Sequence, residues 1–567
     1  MSNFTEIRDR KGCLTAIKTS LKGENLLLNP RLNKGTAFSL EERLKFRLLG
    51  KLPSHIETLE EQSIRFYEQY KEKPRPFDKH IYLDRIHNEN ETLFFKLVGD
   101  HLDEMLPIVY TPTIGEAVMR FSRETRRPQG IFMSYEQQDD MDEILAEVET
   151  DDIDLIVVTD GEAILGIGDQ GVGGIDICIG KLAVYTLCAG INPHRVLPIQ
   201  LDVGTNNEEM LSDPMYLGLR RTRITGKAYD DFIDRFVRAV LKRFPNVFLH
   251  WEDFAKNSAR KNLERYRHEI CTFNDDMQGT GAVTVSALLK ALDVTGANVS
   301  DQRIVFFGAG TASTGIADQL CAAMVREGLS QEEASARVCL LGRHGLLVEG
   351  MQNLSDFQMP YVKSHQTLSD WDLDTTQENI DLFHVVKNFK PTILIGCSTV
   401  GGAFTREIVQ EMAKHTKRPI IFSLSNPTAK AEANPHDLLE WTNGQALIAT
   451  GSPFPETTYN GKHIEISQCN NAFIFPGIGL GILAVKPKLL TDTMIWAACE
   501  ALTKYTPKTT EGIPLLLPRL DQVKAVSLKI AQAVAKKAIS EGLAEPVDID
   551  EAIQSVLWEP RYYGYQD

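Results

Sequence analysis

"RIVFFGAGTASTGIADQLCAAMV", residues 303–325, gives three structural instructions in succession. The apolar run to Phe307 reads as a strand, Gly308 and Gly310 as a tight turn, and the residues from Thr311 onward as a helix, with the small Ser313 at the third position of the G-x-G-x-x-G pattern. The first glycine permits the turn and the second lets the backbone approach a pyrophosphate, while the helix N-terminus offers N–H groups and a favourable dipole. The plain alternative is an ordinary strand-to-helix turn, but the flanking pattern favours dinucleotide binding. Such folds usually close their second strand with an acid for the ribose 2′-hydroxyl. Here the candidate strand "ARVCLLGRHG", 336–345, ends in Gly342, Arg343 and His344. Arg343 either receives a 2′-phosphate, stacks on adenine or faces water.

Working outward, "PTILIGCST", "PIIFSLSNPT" and "ALIATGSP" supply further strands on the C-terminal side. Upstream, "DLIVVTD", "VLPIQLDVG", "VFLHWEDF" and "ICTFNDD" are short apolar runs that each end at or near an acid, with helical patterns such as "AYDDFIDRFVRAVLKRF" between them. That alternation predicts βαβ units and a parallel sheet with acids gathered at the strands' carboxyl ends, the edge where open sheets bind ligands. The first hundred or so residues read mainly as helices. In "SLEERLKFRLLGKLPSHIETLEEQSIRFYEQYKE", Ser39 is a plausible N-cap, followed by Glu41 and Glu42 in the first turn. The stretch "VKAVSLKIAQAVAKKAISEG" returns to helix. The expected fold is α/β, with a mainly helical N-terminal region (1–130), a parallel-sheet catalytic domain (131–278), a Rossmann-type dinucleotide-binding domain (279–540) and a C-terminal helical tail (541–567).

Composition narrows the function. A chain of 567 residues, 43% apolar and 24% charged, is proportioned as a globular protein with more than one core. Its formal net charge of -16 argues against a nucleic-acid surface, which needs clustered Lys and Arg. Nine cysteines without a C-x-x-C pair indicate neither a disulfide framework nor a zinc knuckle. The charged start "MSNFTEIRDRKG" lacks the apolar stretch of a signal peptide, and no segment reaches about 18 consecutive apolar residues. The expectation is a cytoplasmic protein with no membrane partner.

"TFNDDMQGTG", 272–281, places Asp275 and Asp276 side by side where one capping carboxylate would suffice, and "HWEDF" repeats the device with Glu252 and Asp253. Neighbouring residues of a regular strand point to opposite faces, so each pair can share a ligand only where the strand ends and the backbone turns. One such pair reads as helix capping; two on neighbouring strands favour a hard dication, magnesium or manganese, held by carboxylate oxygen. Lys181, inside the apolar run "ICIGKLAVYTLCAG", either snorkels to the surface or sits in a polar pocket where a nearby cation lowers its pKa and makes it a general base. Tyr110, before a T-P turn, is ambiguous alone. "LGIGDQGVGG" also fits the glycine pattern through Gly166, Gly168 and Gly171, but Asp169 within it would repel phosphate.

Together "IVYTPTIGEA", "VVTDGEAILGIGDQGVGG", "GKLAVYT", "LDVGTNNE", "WEDF", "TFNDDMQGTGAV", "GAGTASTGIA", "LSNPTAKAEA", "ATGSPF" and "CNNAFIFPGIGLG" occur in the order and spacing of the malic enzyme family, from about residue 35 to the C-terminus. The chain resembles the bacterial NAD-linked members. The resemblance implies metal-dependent oxidative decarboxylation of L-malate to pyruvate and carbon dioxide with NAD, and NADP as the alternative because Gly342 stands where an acid is usual. It implies Glu252, Asp253 and Asp276 as ligands of Mn2+ or Mg2+, Lys181 as general base with Asp275 beside it, and Tyr110 as general acid. Gly308, Gly310, Ser313, Arg343 and Asn426 would bind the cofactor, and Asn426, Asn470 and Asn471 the substrate. It also implies a homotetramer. Two further departures stand out: Ala163 replaces the arginine that grips the substrate carboxylate in malic enzymes, as in the related malolactic enzymes, and Glu89 occupies the place of a second arginine partnering Arg65 in an allosteric fumarate site known in some relatives. The alternatives are therefore a malolactic enzyme, making lactate with bound NAD, and a catalytically silent metabolite-binding homologue.

Overall fold

The computed structural model describes all residues except 1–3, 10–13, 151, 374–378, 456, 508–512 and 567. It divides into two compact units, Met1–Phe273 with Pro476–Thr491 and Val523–Asp567, and Asn274–Phe475 with Asp492–Gln522.

The first unit is built on a five-stranded sheet of β1 (Ile131–Ser134), β2 (Leu155–Thr159), β3 (Val196–Asp202), β4 (Phe248–Trp251) and β5 (Thr272–Asn274), in the order β1-β3-β2-β4-β5. β1 and β3, β3 and β2, and β2 and β4 pair in parallel, as the βαβ pattern requires. Every residue of β2 and β4 is buried, which explains why "LIVVT" and "FLHW" lack alternation. Helix α1 (Ile175–Ala189) packs on β2 and β3 and ends at Gly190, whose φ of 67° supplies the left-handed cap. Residues Gly171–Ala189 are long and apolar enough to cross a membrane, but 94% of that window is buried within the protein, so α1 is a core helix.

Ser39 does cap its helix, reciprocally with Glu42, and Thr58 does the same with Glu61. The sequence reading did not find the three-stranded sheet beside these helices, in which Phe4–Arg8 pairs antiparallel with Leu14–Thr19 and Gly564–Gln566 pairs parallel with the latter. Its core gathers Leu26, Phe38, Phe46 and Tyr565, and the Tyr565 hydroxyl donates to the Leu32 carbonyl at 2.6 Å. The tail thus ends in a strand after its helix Ile549–Val556.

The second unit carries a seven-stranded sheet in which β6 (Ile304–Phe307), β7 (Val338–Gly342), β8 (Ile393–Gly396), β9 (Ile420–Ser423), β10 (Leu447–Thr450) and β11 (Ser467–Gln468) run in the order β7-β6-β8-β9-β10-β11. These six pair in parallel, and the short Gly345–Leu346 adds antiparallel to β7. Strand order reverses at β6, so the crevice at its carboxyl end is the switch point of a Rossmann-type sheet. Helices α2 (Thr280–Thr295) and α3 (Thr311–Arg326) pack against each other. The eight described cysteines are all free thiols; Cys13 lies outside the described residues.

Candidate active site

In the first unit the chemistry collects where β4 ends. Glu252 is 2% exposed, and its Oε1 lies 2.8 Å from Lys181 Nζ and 3.2 Å from the Tyr110 hydroxyl. Its Oε2 lies 2.7 Å from His250 Nε2. Burial pushes the Glu252 carboxyl up, but the Lys181 charge and the His250 hydrogen bond outweigh it and hold the group below the usual carboxylate range. Lys181 does not snorkel; it is 2% exposed, with Nζ 5.0 Å from the centre of the Tyr110 ring. Gly180 makes room for that ring, because a Cβ there would stand 3.0 Å from Tyr110 Cδ2.

Asp253 has a φ of 55°, a left-handed turn at the strand end of the kind two adjacent acids need if they are to share a ligand. The loop after β2 holds it in place: Ala163 N–H donates to its carbonyl at 3.1 Å and Leu165 N–H to its Oδ2 at 3.1 Å. The same loop contains the second glycine pattern, and it is a cross-linked turn. Asp169 accepts from Arg223 Nε at 2.7 Å and Nη2 at 3.0 Å, and a Cβ on Gly171 would meet the Tyr216 hydroxyl at 2.0 Å. Arg65 is taken up by Glu57 at 2.6 and 2.7 Å, and Glu89 by Arg85 at 2.9 Å.

In the second unit Asp275 and Asp276 open a five-residue π-type turn directly after β5. The cap there is Asn274, whose side chain accepts from Met277 N–H at 3.0 Å, so neither aspartate is the N-cap. Asp275 is 1% exposed and its Oδ2 accepts from Asn471 Nδ2 at 2.8 Å; Asn471 Nδ2 also reaches Thr280 Oγ1 at 3.0 Å. The side-chain oxygen of Asn470 caps its own turn through Ala472 N–H at 2.9 Å.

The glycine turn has the expected geometry. Gly308 has a φ of 118°, and a Cβ on it would stand 2.4 Å from the Cys397 carbonyl oxygen on the neighbouring strand end. Gly310 precedes α3 without any side-chain cap, leaving that helix N-terminus to an anion, and Ser313 is fully buried. These residues fit a dinucleotide pyrophosphate. Gly308→Ala is therefore expected to weaken NAD binding at least about tenfold and lower the melting temperature, since backbone, not a movable side chain, opposes the methyl; calorimetric titration with NAD checks it. Arg343 and His344 are exposed beyond β7, and an ideal Cβ on Gly342 would lie 3.8 Å from that of Ala309 in the glycine turn. Asn426 is hydrogen-bonded to the Ser452 hydroxyl.

Two residues escaped the sequence reading. His250 looked like one more strand residue. Glu432 is fully buried and accepts from Ser398 N–H and Oγ at 2.8 Å each and from the Ser425 hydroxyl, tying together the loops after β8 and β9. A carboxylate within "TAKAEA" offers a faint signal at best.

A parallel sheet with a lysine, tyrosine and carboxylate cluster at its edge, and a Rossmann-type sheet with an open glycine turn, are the parts of an α/β dehydrogenase. The family models described as "Malic enzyme, N-terminal domain" and "Malic enzyme, NAD binding domain" match residues 87–267 and 277–539. The chain is 51% identical to "NAD-dependent malic enzyme 3" of Bacillus subtilis (strain 168), over 96% of this chain and 97% of that protein. It is 50% identical to "NAD-dependent malic enzyme" of Aliivibrio fischeri (strain MJ11), over the same shares. The crystal structure of Entamoeba histolytica malic enzyme, at 22% identity, superposes with a TM-score of 0.55 over 90% of each chain and speaks to the fold alone. The chain belongs to the malic enzyme family.

Proposed function

We infer that the protein catalyses the oxidative decarboxylation of L-malate to pyruvate and carbon dioxide with reduction of NAD. Glu252 carries the reading: one buried carboxylate within hydrogen-bond reach of both a lysine and a tyrosine, beside a second acid held in a left-handed turn. Glu252, Asp253 and Asp276 would hold Mn2+ or Mg2+. The fit rests on donor chemistry, an all-oxygen, all-carboxylate set that suits a hard cation, and on Glu252–Asp253 and Asp276 following neighbouring strands of one sheet.

When bound, the dication would supply Lewis acidity toward the substrate oxygens, and the nicotinamide nucleotide would supply the hydride acceptor. Lys181 takes the proton of the C2 hydroxyl, and Asp275 orients it. After the C3–C4 bond breaks and carbon dioxide leaves, its electron pair forms the C2–C3 enolate, and Tyr110 delivers a proton to C3. Asn471 and Asn426 bind substrate or nicotinamide ribose, with Asn470 beside them; Gly308, Gly310 and Ser313 cradle the pyrophosphate, and Arg343 borders the adenosine end. The working form is a cytoplasmic homotetramer.

Ala163 favours a second reading, the malolactic reaction, in which pyruvate is reduced to lactate before release. One assay separates the two: malate with Mn2+ and either NAD or NADP, measuring reduced cofactor, pyruvate and lactate. Net reduced cofactor with pyruvate is expected, faster with NAD; lactate without net reduced cofactor overturns the first reading, and no turnover leaves only a silent homologue. Ala163→Arg is expected to restore a bidentate carboxylate contact and lower the KM for malate about tenfold, read from initial rates.

A further inference from the structure

The steps above make no use of His250. It lies on β4 two residues before Glu252, the first residue past the strand. His250 is fully buried, with Nδ1 2.8 Å from the Tyr185 hydroxyl and Nε2 2.7 Å from Glu252 Oε2. A carboxylate only accepts hydrogen bonds, so Nε2 carries a proton toward Glu252, while Nδ1 and the Tyr185 hydroxyl share the second hydrogen bond. Tyr185 follows Lys181 by four residues on α1, one helical turn along the same face. One face of α1 therefore grips both oxygens of Glu252, Oε1 directly through Lys181 and Oε2 through Tyr185 and His250.

The relay has little room to move. The Tyr185 and His250 rings meet edge-on with centroids 5.7 Å apart, and His250 meets Phe273 the same way at 5.3 Å. A Cβ on Gly479 would stand 2.5 Å from Tyr185 Cε1, so the glycine closes packing around the phenol. A ligand carboxylate held on one oxygen only keeps its terminal torsion soft; a second fixed donor sets its plane.

We propose that His250, braced by Tyr185, is a positioning residue that fixes the plane of the Glu252 carboxylate and so sets the dication affinity, without ligating the metal itself. The proposal rests on the reading of Glu252 as a metal ligand. Loss of such an outer partner typically costs about 10- to 100-fold in metal affinity.

The test is Mn2+ binding to the metal-free enzyme, followed by the electron paramagnetic resonance of free Mn2+, with NAD binding measured in parallel. His250→Phe is expected to weaken Mn2+ binding about 10- to 100-fold, raise the KM for Mn2+ and leave both NAD affinity and kcat at saturating Mn2+ within a few-fold. His250→Gln, whose amide still donates to Oε2, is expected to recover most of the affinity, and Tyr185→Phe to fall between. Wild-type Mn2+ affinity in His250→Phe overturns the proposal. So does a directly bound nitrogen in the pulsed spectrum of the Mn2+ enzyme that disappears in His250→Gln, because His250 is then a ligand. Glu252→Gln separates the two levels: if it binds Mn2+ like wild type, the metal reading fails; if it loses Mn2+ while His250→Phe keeps it, only the positioning role fails.

Discussion

Lys181→Ala is expected to lower the rate of malate oxidation by on the order of 10²- to 10⁴-fold, the usual worth of a positioned general base, while NAD binding is unchanged. The proposed base must lose its proton and regain it. Its ammonium is buried, fixed at 2.8 Å on Glu252 and backed by the Tyr110 ring, so its stem cannot swing to solvent. On the proposed assignment, removing it takes away the proton acceptor, whereas the glycine turn belongs to a different sheet. Initial rates of reduced-nucleotide formation, set beside fluorescence titration with NAD, check the split. A small primary amine in the buffer is expected to restore part of the rate by filling the space vacated by the side chain. Preserved oxidation would remove Lys181 from the role.

If Asp276 is a ligand as proposed, Asp276→Asn is expected to abolish measurable turnover, a loss on the order of 10³-fold or more, because it removes one anionic ligand from a hard-cation site and with it the electron sink for decarboxylation. The substitution keeps shape. Asp276 is only partly buried and Asn274 holds the cap of the turn, so unfolding without metal should shift by no more than about 0.5 kcal/mol. Wild-type enzyme should melt higher with Mn2+, since a ligand that binds only the native state stabilises it; the variant should show no such rise. An active Asp276→Asn enzyme would refute the ligand assignment.

Much of the architecture was legible because it is local. The strand, glycine turn and helix at 303–325 specify one another over adjacent residues, and the Ser39 cap and the strands ending in "TD", "WED" and "NDD" are readable within short windows. What escaped is non-local. Leu14–Thr19 reads weakly by itself because its partner strand Gly564–Gln566 comes from the opposite end of the chain. The site divides the same way. The acid pairs announce themselves by their position at strand ends, whereas His250 gains meaning only from Tyr185, 65 residues upstream, and Glu432 only from the hydroxyls of two separate loops. Lys181 was ambiguous because helix α1 is apolar on every side, and only the fold reveals that its single cation faces a carboxylate.

The interleaving of the two units bears on how the polypeptide matures during synthesis. The dinucleotide-binding unit has all its segments once residue 522 has left the ribosome, whereas the malate-side unit still awaits the helix Val523–Ser540 and the strand Gly564–Gln566. Completion order therefore reverses the order in which the units begin: the unit started first is the unit completed last, and until the closing strand emerges, Leu14–Thr19 presents an unpaired edge.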